Sequence, residues 1–328
     1  MELSVIIPVY NEELALPPLF ARLYPALDKL GITYEVIFIN DGSSDRSAAV
    51  LRTQFEARPD VTRVVLLAGN FGQHMAIMAG FEKSHGAKIV TLDADLQNPP
   101  EEIGALIAKM DEGYDYVGSI RRNRRDSIFR TLPSRALNRI RERTTRIKMT
   151  DQGCMVRAYS RNIINAINNC SEVNSYIPAL AYTFAQKPTE IEVAHEERSA
   201  GESKYSLYKL MRLNFDIMTG YSLLPLQLFS LLGILVSVAA MCIYLVVIGY
   251  RLTYAHDAAS ALKAFWDRDI LQFFLTGIVL FGMGVLGEYV GRIYEQVRGR
   301  PRYLIEAVLE QKTTVATRVA EPTGTRVV

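Results

Sequence analysis

Four short runs rich in aliphatic and β-branched residues, Leu3 to Val9, Tyr34 to Ile39, Arg63 to Leu67 and Lys88 to Leu92, lack a clean alternation of apolar and polar positions. That pattern predicts strands buried on both faces of a parallel sheet. Between and after them, Leu14 to Leu30, Ser44 to Ala57, Gln73 to Ser84 and Pro100 to Glu112 show helical spacing or helix start signals. Pro17 and Pro18 lie early in the first, and Pro99 and Pro100 open the last. Such β/α alternation predicts an open sheet whose ligands bind beyond the carboxyl ends of its strands. The residues that follow these strands are polar and acidic, so chemistry is expected there.

The pattern changes in the second half of the chain. Ile217 to Tyr250 contains no charged residue, and Leu226 to Gly249 alone exceeds the roughly 20 apolar residues that cross a bilayer. A second charge-free run, Ile270 to Gly287, carries Gly277, Gly282 and Gly284, which packed membrane helices tolerate. A buried core helix is the competing reading of this run. Two basic amphipathic segments come before the spans. One, about 128–148, sets Ile128, Leu132, Leu137 and Ile140 among Arg135, Arg139, Arg141 and Arg143. The other, 203–222, sets Leu207, Leu210 and Met211 against Lys204, Lys209 and Arg212. Both are expected to lie at the headgroup level, with packing of the apolar face on the domain as the alternative.

Two spans return the chain to its starting side. Lys209, Arg212, Arg292, Arg298, Arg300 and Arg302 flank the pair, against Arg251, Lys263 and Arg268 between them, which predicts cytoplasmic termini. The expected organisation is a catalytic α/β domain over 1–202, a juxtamembrane helix over 203–222, a two-helix membrane region over 223–290 and a cytoplasmic tail over 291–328. The tail beyond Thr313 is polar and aperiodic.

Net charge is +2 over 328 residues, too mild for a nucleic-acid binder. Cys154, Cys170 and Cys242 are scattered without C-x-x-C spacing, so neither a disulfide framework nor a zinc site is indicated. Met1 to Pro8 lacks the basic start of a signal peptide.

The strongest chemical feature is Asp93-Ala94-Asp95, directly after the fourth strand. Carboxylates two apart on extended chain project to one face, where with Gln97 they suit a hard divalent cation, Mg2+ or Mn2+. Pro8-Val9-Tyr10-Asn11-Glu12 and Asn40-Asp41-Gly42-Ser43-Ser44-Asp45 end two other strands on the same edge. Tyr10 suits stacking, and Glu12 and Asp41 suit a base or ribose, whereas Asp45 reads better as a helix cap. No G-x-G-x-x-G follows the first strand and no G-x-x-x-x-G-K occurs, so dinucleotide and P-loop sites are unsupported.

Taken in order, these motifs resemble the family 2 glycosyltransferases of the GT-A fold. The resemblance extends through Asp95 to Glu102, Arg143 to Thr145, Asp151 to Met155, Gly201 to Ser206, Gly287 to Tyr294 and Arg300 to Tyr303, the pattern of the polyprenyl-phosphate branch. It implies a UDP-sugar donor, an undecaprenyl phosphate acceptor and a place in the bacterial inner membrane. Within that branch it is closest to transferases of 4-deoxy-4-formamido-L-arabinose, and several motifs are shared with bactoprenol glucosyltransferases. It further implies that Pro8, Tyr10, Glu12, Asp41 and Asp93 contact the nucleotide and that Asp95 and Gln97 hold the metal. Asp151 would be the proposed base, and Arg121, Arg124, Arg198 and Lys204 would surround the phosphates. A homo-oligomer, a tetramer, is the assembly it implies. Asn40 stands where the family often has an acid. Three readings compete. A processive synthase lacks its Q-x-x-R-W here, since the single tryptophan, Trp266, has no such context. A non-catalytic lipid-binding scaffold has no need of the D-x-D, and a nucleotidyltransferase would release pyrophosphate.

Overall fold

In this computed structural model the structure describes residues 1–121, 149–151, 153–170, 176–194, 196, 226–233 with separate positions up to 246, and 268–311. Strands β1 (Leu3–Val9), β2 (Tyr34–Asn40), β3 (Thr62–Leu67) and β4 (Lys88–Thr91) alternate with helices α1 (Leu16–Asp28), α2 (Ser47–Ala57) and α3 (Gln73–Lys83). A 3-10 turn at Pro100–Glu102 leads into α4 (Ile103–Asp111), followed by β5 (Tyr116–Arg121), β6 (Arg157–Ser160), α5 (Arg161–Asn169), α6 (Ile177–Phe184) and β7 (Pro188–Val193). The last elements are α7 (Arg268–Val297) and β8 (Ile305–Leu309).

The eight strands form one sheet in the order β7-β5-β6-β4-β1-β2-β3-β8. Its centre, β3-β2-β1-β4, is parallel, with Val5 opposite Val36 on one side and Val90 on the other. Both faces are covered, as the unbroken apolar runs require. Leu3, Val5, Ile7, Val36 and Phe38 pack in one core layer with Leu19, Leu23 and Leu106. Ile6, Ile37 and Ile39 pack in the other with Ile77, Phe81 and Ile164. Chain order reverses at β1, which has β2 on one flank and β4 on the other. A crevice is expected at this switch point, beyond the strands' carboxyl ends.

Strand β6 runs antiparallel to β4, placing Thr91 opposite Arg157, and β5 joins β6 and β7. At the far edge β8 pairs antiparallel with β3. The Ala68 N–H donates to the Leu304 carbonyl at 2.9 Å, and Tyr303 Oη donates to Glu82 at 2.5 Å. The sheet thus takes in residues 305–309, beyond the 1–202 expected of the catalytic domain.

Helix α7 is 30 residues long. Leu275, Val279, Leu280, Phe281, Met283, Leu286 and Val290 are exposed along it. Residues 226–233 are helical and pack against α7 where Gly282 meets Phe229, leaving no space for a Cβ. Among the described residues no helix is long and apolar enough to cross a membrane. The side chains of 268–274 and most of 234–249 lie outside those residues, as do the helices expected at 128–148 and 203–222 and the tail beyond Thr313.

The amino ends of the strands are closed by a buried carboxylate. Glu35 accepts hydrogen bonds from Ser4 Oγ at 2.6 Å, the His85 N–H at 2.6 Å and Arg63 Nη1 at 3.0 Å. Burial acts to raise its pKa, but these donors outweigh it and hold the group below its ordinary 4.5. A carboxylate depressed on folding stabilises fully above the unfolded value and gives that up as pH falls through the folded one. Glu35→Gln is therefore expected to lower stability by about 2 kcal/mol near neutrality. Denaturant titrations of both proteins should show the difference shrinking below pH 4.5; a gap that is constant with pH refutes the assignment.

Candidate active site

The loops after β1 and β2 are laced together over the carboxyl edge. Asn11 N–H donates to Ser43 Oγ at 3.0 Å and Asn11 Oδ1 accepts from Ser44 N–H at 2.8 Å. Glu12 N–H donates to Ser47 Oγ at 2.9 Å. Glu13 N–H donates to Asp45 at 3.1 Å, and Asp45 also accepts the Ser47 N–H at 2.9 Å. Asp45 thus ties the loop after β1 to the first N–H of α2, from one residue ahead of the cap position at Arg46. Burial would raise its pKa, but its donors, the Ser47 hydroxyl first, hold it below the ordinary carboxylate range. Asn11 has φ 56°, a left-handed conformation that asparagine accepts. Gly42 has φ 63°, and a Cβ there would lie 2.6 Å from the Asn70 nitrogen, so only glycine fits where the loops after β2 and β3 touch.

Asp41 is 2% exposed. Its oxygens accept the backbone N–H groups of Phe71 at 2.7 Å and Gly72 at 2.9 Å. In the free protein its carboxylate therefore shapes the entry to α3. Tyr10, by contrast, is 49% exposed just beyond the end of β1, and Pro8 within that strand is half-buried.

The acid pair is presented by a turn. Strand β4 ends at Thr91, and Ala94 and Asp95 lie in a turn, whereas an extended segment was expected. Alternation of exposure survives: Asp93, Asp95 and Gln97 are half-buried, while Ala94, Leu96 and Asn98 are buried. The device that achieves this is Leu96 at φ 59°, which costs about 1 kcal/mol for a residue with a Cβ. Its side chain is held in the core, and backbone strain of this kind concentrates at functional sites. Asp95 Oδ1 accepts the Gln97 N–H at 3.1 Å, and Asp93 Oδ1 accepts Gln73 Nε2 at 2.7 Å. The donor set is two carboxylates and an amide oxygen on one exposed edge. Hard divalent cations take such ligands and complete their shells with water or phosphate. Among the described residues no group of three or more His, Cys, Asp or Glu forms a metal cage.

The loop that carries the acid pair is also the anchor for the segment leading to the expected phosphate-binding residues. The Gln97 carbonyl accepts the Glu196 N–H at 2.9 Å, and Glu102 accepts the Ala194 N–H at 3.2 Å. Arg22 of α1 bridges Glu101 and Glu196, each at 3.0 Å. Arg198 and Lys204, a few residues further on, and Arg124 lie outside the described residues.

Arg121, at the end of β5, and Asp151 come together. The guanidinium donates from Nε to Oδ2 at 2.7 Å and from Nη2 to Oδ1 at 2.9 Å. Asp151 is 2% exposed and also accepts the Gly153 N–H at 3.1 Å. A fork-to-fork pair of this kind is rigid. It makes Asp151 an orienting group for Arg121, and distinguishes it from an exposed base waiting for a proton. His74, near the amino end of α3, brings no positive charge to the edge, since burial pushes its pKa down to about 4.

Several contributors lay outside the motifs singled out in the sequence: Gln73, Ser47 and Arg157. Gln73 opens a helix opposite the acid pair, a position the helix prediction already fixed. Arg157 is a charge inside a short strand, itself an unusual placement.

The family model described as Glycosyl transferase family 2 matches residues 4–167. Two relatives from different strains of Klebsiella pneumoniae are each named undecaprenyl-phosphate 4-deoxy-4-formamido-L-arabinose transferase. Each is 47% identical over 315 residues, 96% of this chain and 96% of the relative. Among solved structures, Mycobacterium tuberculosis glucosyl-3-phosphoglycerate synthase in complex with Mn2+, uridine-diphosphate-glucose and glycerol 3-phosphate is similar at 20% identity and TM-score 0.45, covering 66% of this chain and 78% of that one.

Proposed function

The chain belongs to glycosyl transferase family 2 and has a GT-A-like α/β fold, and from that premise we propose that it transfers 4-deoxy-4-formamido-L-arabinose from its UDP-sugar to undecaprenyl phosphate. The observation that carries this reading is the 47% identity, sustained over 96% of both chains, to relatives with that name. The product would serve lipid A modification and resistance to cationic antimicrobial peptides such as polymyxin.

The chemistry asks little of a base. The acceptor is a phosphate monoester whose second pKa is about 6, so at neutral pH its oxygen is already an anionic nucleophile. What the site must do is align that oxygen with the anomeric carbon and stabilise the departing nucleoside diphosphate. An in-line displacement inverts the carbon. Pro8, Tyr10, Glu12, Asp41 and Asp93 would contact the nucleotide. Asp95 and Gln97 would hold a divalent cation, Mg2+ or Mn2+. When bound, such a cation supplies charge stabilisation for the leaving diphosphate. Arg121, with Arg124, Arg198 and Lys204, supplies guanidinium and ammonium groups for the phosphates.

The acceptor's lipid tail calls for a membrane site. Two spans, Leu226 to Gly249 and Ile270 to Gly287, are supported by their charge-free sequences and by the exposed apolar side chains along α7. A helix apolar on several faces needs either a protein interior or lipid. The catalytic domain and termini would then be cytoplasmic at a bacterial inner membrane, with basic helices on the headgroups and a homo-oligomer, a tetramer, as the assembly.

The test is transfer to undecaprenyl phosphate in detergent with divalent metal, offering UDP-4-deoxy-4-formamido-L-arabinose and UDP-glucose separately. Product from the first donor alone is expected. Product from UDP-glucose alone would make the chain a bactoprenol glucosyltransferase, and none from either would overturn both substrates.

A further inference from the structure

Arg157 opens β6 with its side chain wholly buried, 0% exposed. Among the described residues no carboxylate forms an ion pair with it. Its fork is spent on neutral acceptors. Nε–H donates to the Cys154 carbonyl at 2.9 Å, Nη2–H to the Asp151 carbonyl at 2.7 Å, and Nη1–H to Tyr116 Oη. A buried cation without a paired anion is costly, and for packing alone an apolar side chain would serve better. The two carbonyls it grips are the ends of one short loop, and that loop carries the Asp151 carboxylate clamped on Arg121.

We infer that Arg157 is a positioning residue for sugar transfer: it fixes Asp151 and Cys154 by their carbonyls, and through Asp151 it fixes the Arg121 guanidinium. This rests on the proposed transferase reading. Two further contacts make the unit rigid. A Cβ on Gly153 would stand 2.8 Å from Arg121 Nη2, so the loop's path and the guanidinium's place interlock. On the other side, Thr91 Oγ1 donates to the Met155 carbonyl at 2.6 Å, and Thr91 is paired with Arg157 across β4 and β6. The segment that sets Arg121 is thus also tied to β4, the strand that leads into Asp93. One buried guanidinium sits where the acid pair's strand and the phosphate-facing arginine join.

The experiment is a double-mutant cycle on the full-length protein in detergent: wild type, Arg157→Lys, Asp151→Asn and the double variant. Each is measured for thermal midpoint, UDP binding, and kcat and KM in sugar transfer. Lysine keeps the charge but has no fork and cannot span both carbonyls. Arg157→Lys is expected to fold and to bind UDP within about 2-fold of wild type, while kcat falls at least about 30-fold, as misplacement of a catalytic group does. In the Asp151→Asn background the same change should cost less than about 3-fold, because residues acting through one another are not additive. A folded Arg157→Lys with wild-type kcat, or one whose full loss recurs in the Asp151→Asn background, overturns the inference. Should Arg157→Lys fail to fold, Tyr116→Phe, which removes only the phenol oxygen, takes its place in the cycle. A several-fold loss of kcat present with Asp151 and absent without it supports the inference. No loss, or equal loss in both backgrounds, overturns it. A wild-type protein that transfers neither sugar overturns the proposed function, and the inference with it.

Discussion

Asp95→Ala is expected to lower sugar transfer by at least about 10³-fold while the protein stays folded. Asp95 lies beyond the end of β4, half-buried, and its described hydrogen bond is local, to the Gln97 N–H at 3.1 Å. Losing a two-residue turn contact of that kind costs about 1 kcal/mol, so the sheet and its two core layers should persist. The activity loss has a different origin. A carboxylate aimed at the diphosphate's cation counts most when charge moves onto the leaving group, which places the effect in kcat. Raising the metal concentration should recover little, because the leaving group's charge would still lack its anchored counter-ion. Asp93→Asn, which keeps a polar group for Gln73 at 2.7 Å and removes only a charge, is expected to lower transfer as well, since Asp93 would contact the nucleotide. The measurement is single-turnover transfer with saturating donor, beside circular dichroism of each variant. A folded Asp95→Ala with a tenth of wild-type activity would remove Asp95 from the metal site.

The parallel half of the fold is legible in the sequence because its strands are continuous apolar runs separated by proline- and glycine-marked loops. β1 is found residue for residue, and β2, β3 and β4 to within one residue at an end. The start of α2 is expected at Ser44 and lies at Ser47. The reason is specific: Ser43, Ser44 and Asp45 spend their polar groups on the loop after β1, leaving the helix to begin later. β6 is a run of four residues that opens on a charged side chain, and no periodicity window detects so short a strand. β8 is a five-residue run with a single charge, Glu306, and its partner is β3, a pairing across most of the chain that leaves no local mark. At the site, the acid pair and the loops after β1 and β2 were readable by position. The bond from Gln73 to Asp93 was not, and neither was the commitment of Asp41 to the amides of Phe71 and Gly72, since both depend on how α3 abuts the edge. The Arg121–Asp151 pair joins residues 30 apart, each of which alone suggests a separate role.

That pair gives the second large effect. Asp151→Asn is expected to cost about 10²-fold in kcat, with the shape of the pH profile unchanged. The carboxylate accepts Arg121 Nε at 2.7 Å through one oxygen, and Nη2 at 2.9 Å and the Gly153 N–H at 3.1 Å through the other. An asparagine retains one acceptor and turns an NH2 toward a guanidinium or amide that is itself a donor, so the fork cannot close and Arg121 loses its fixed direction. Arg121→Lys should cost a comparable factor, since a lysine offers a point charge where a planar fork is needed. Were Asp151 a general base, its loss would instead erase the limb of the profile that its own titration produces. In the orienting role, the limb that remains in both proteins belongs to the acceptor: activity rises as pH passes the phosphate's second pKa, about 6, because the dianion is the stronger nucleophile. The deciding measurement is kcat against pH for wild type, Asp151→Asn and Arg121→Lys across that range. Parallel curves displaced downward fit a carboxylate that holds an arginine, and a limb lost only with Asp151 would return it to the role of base.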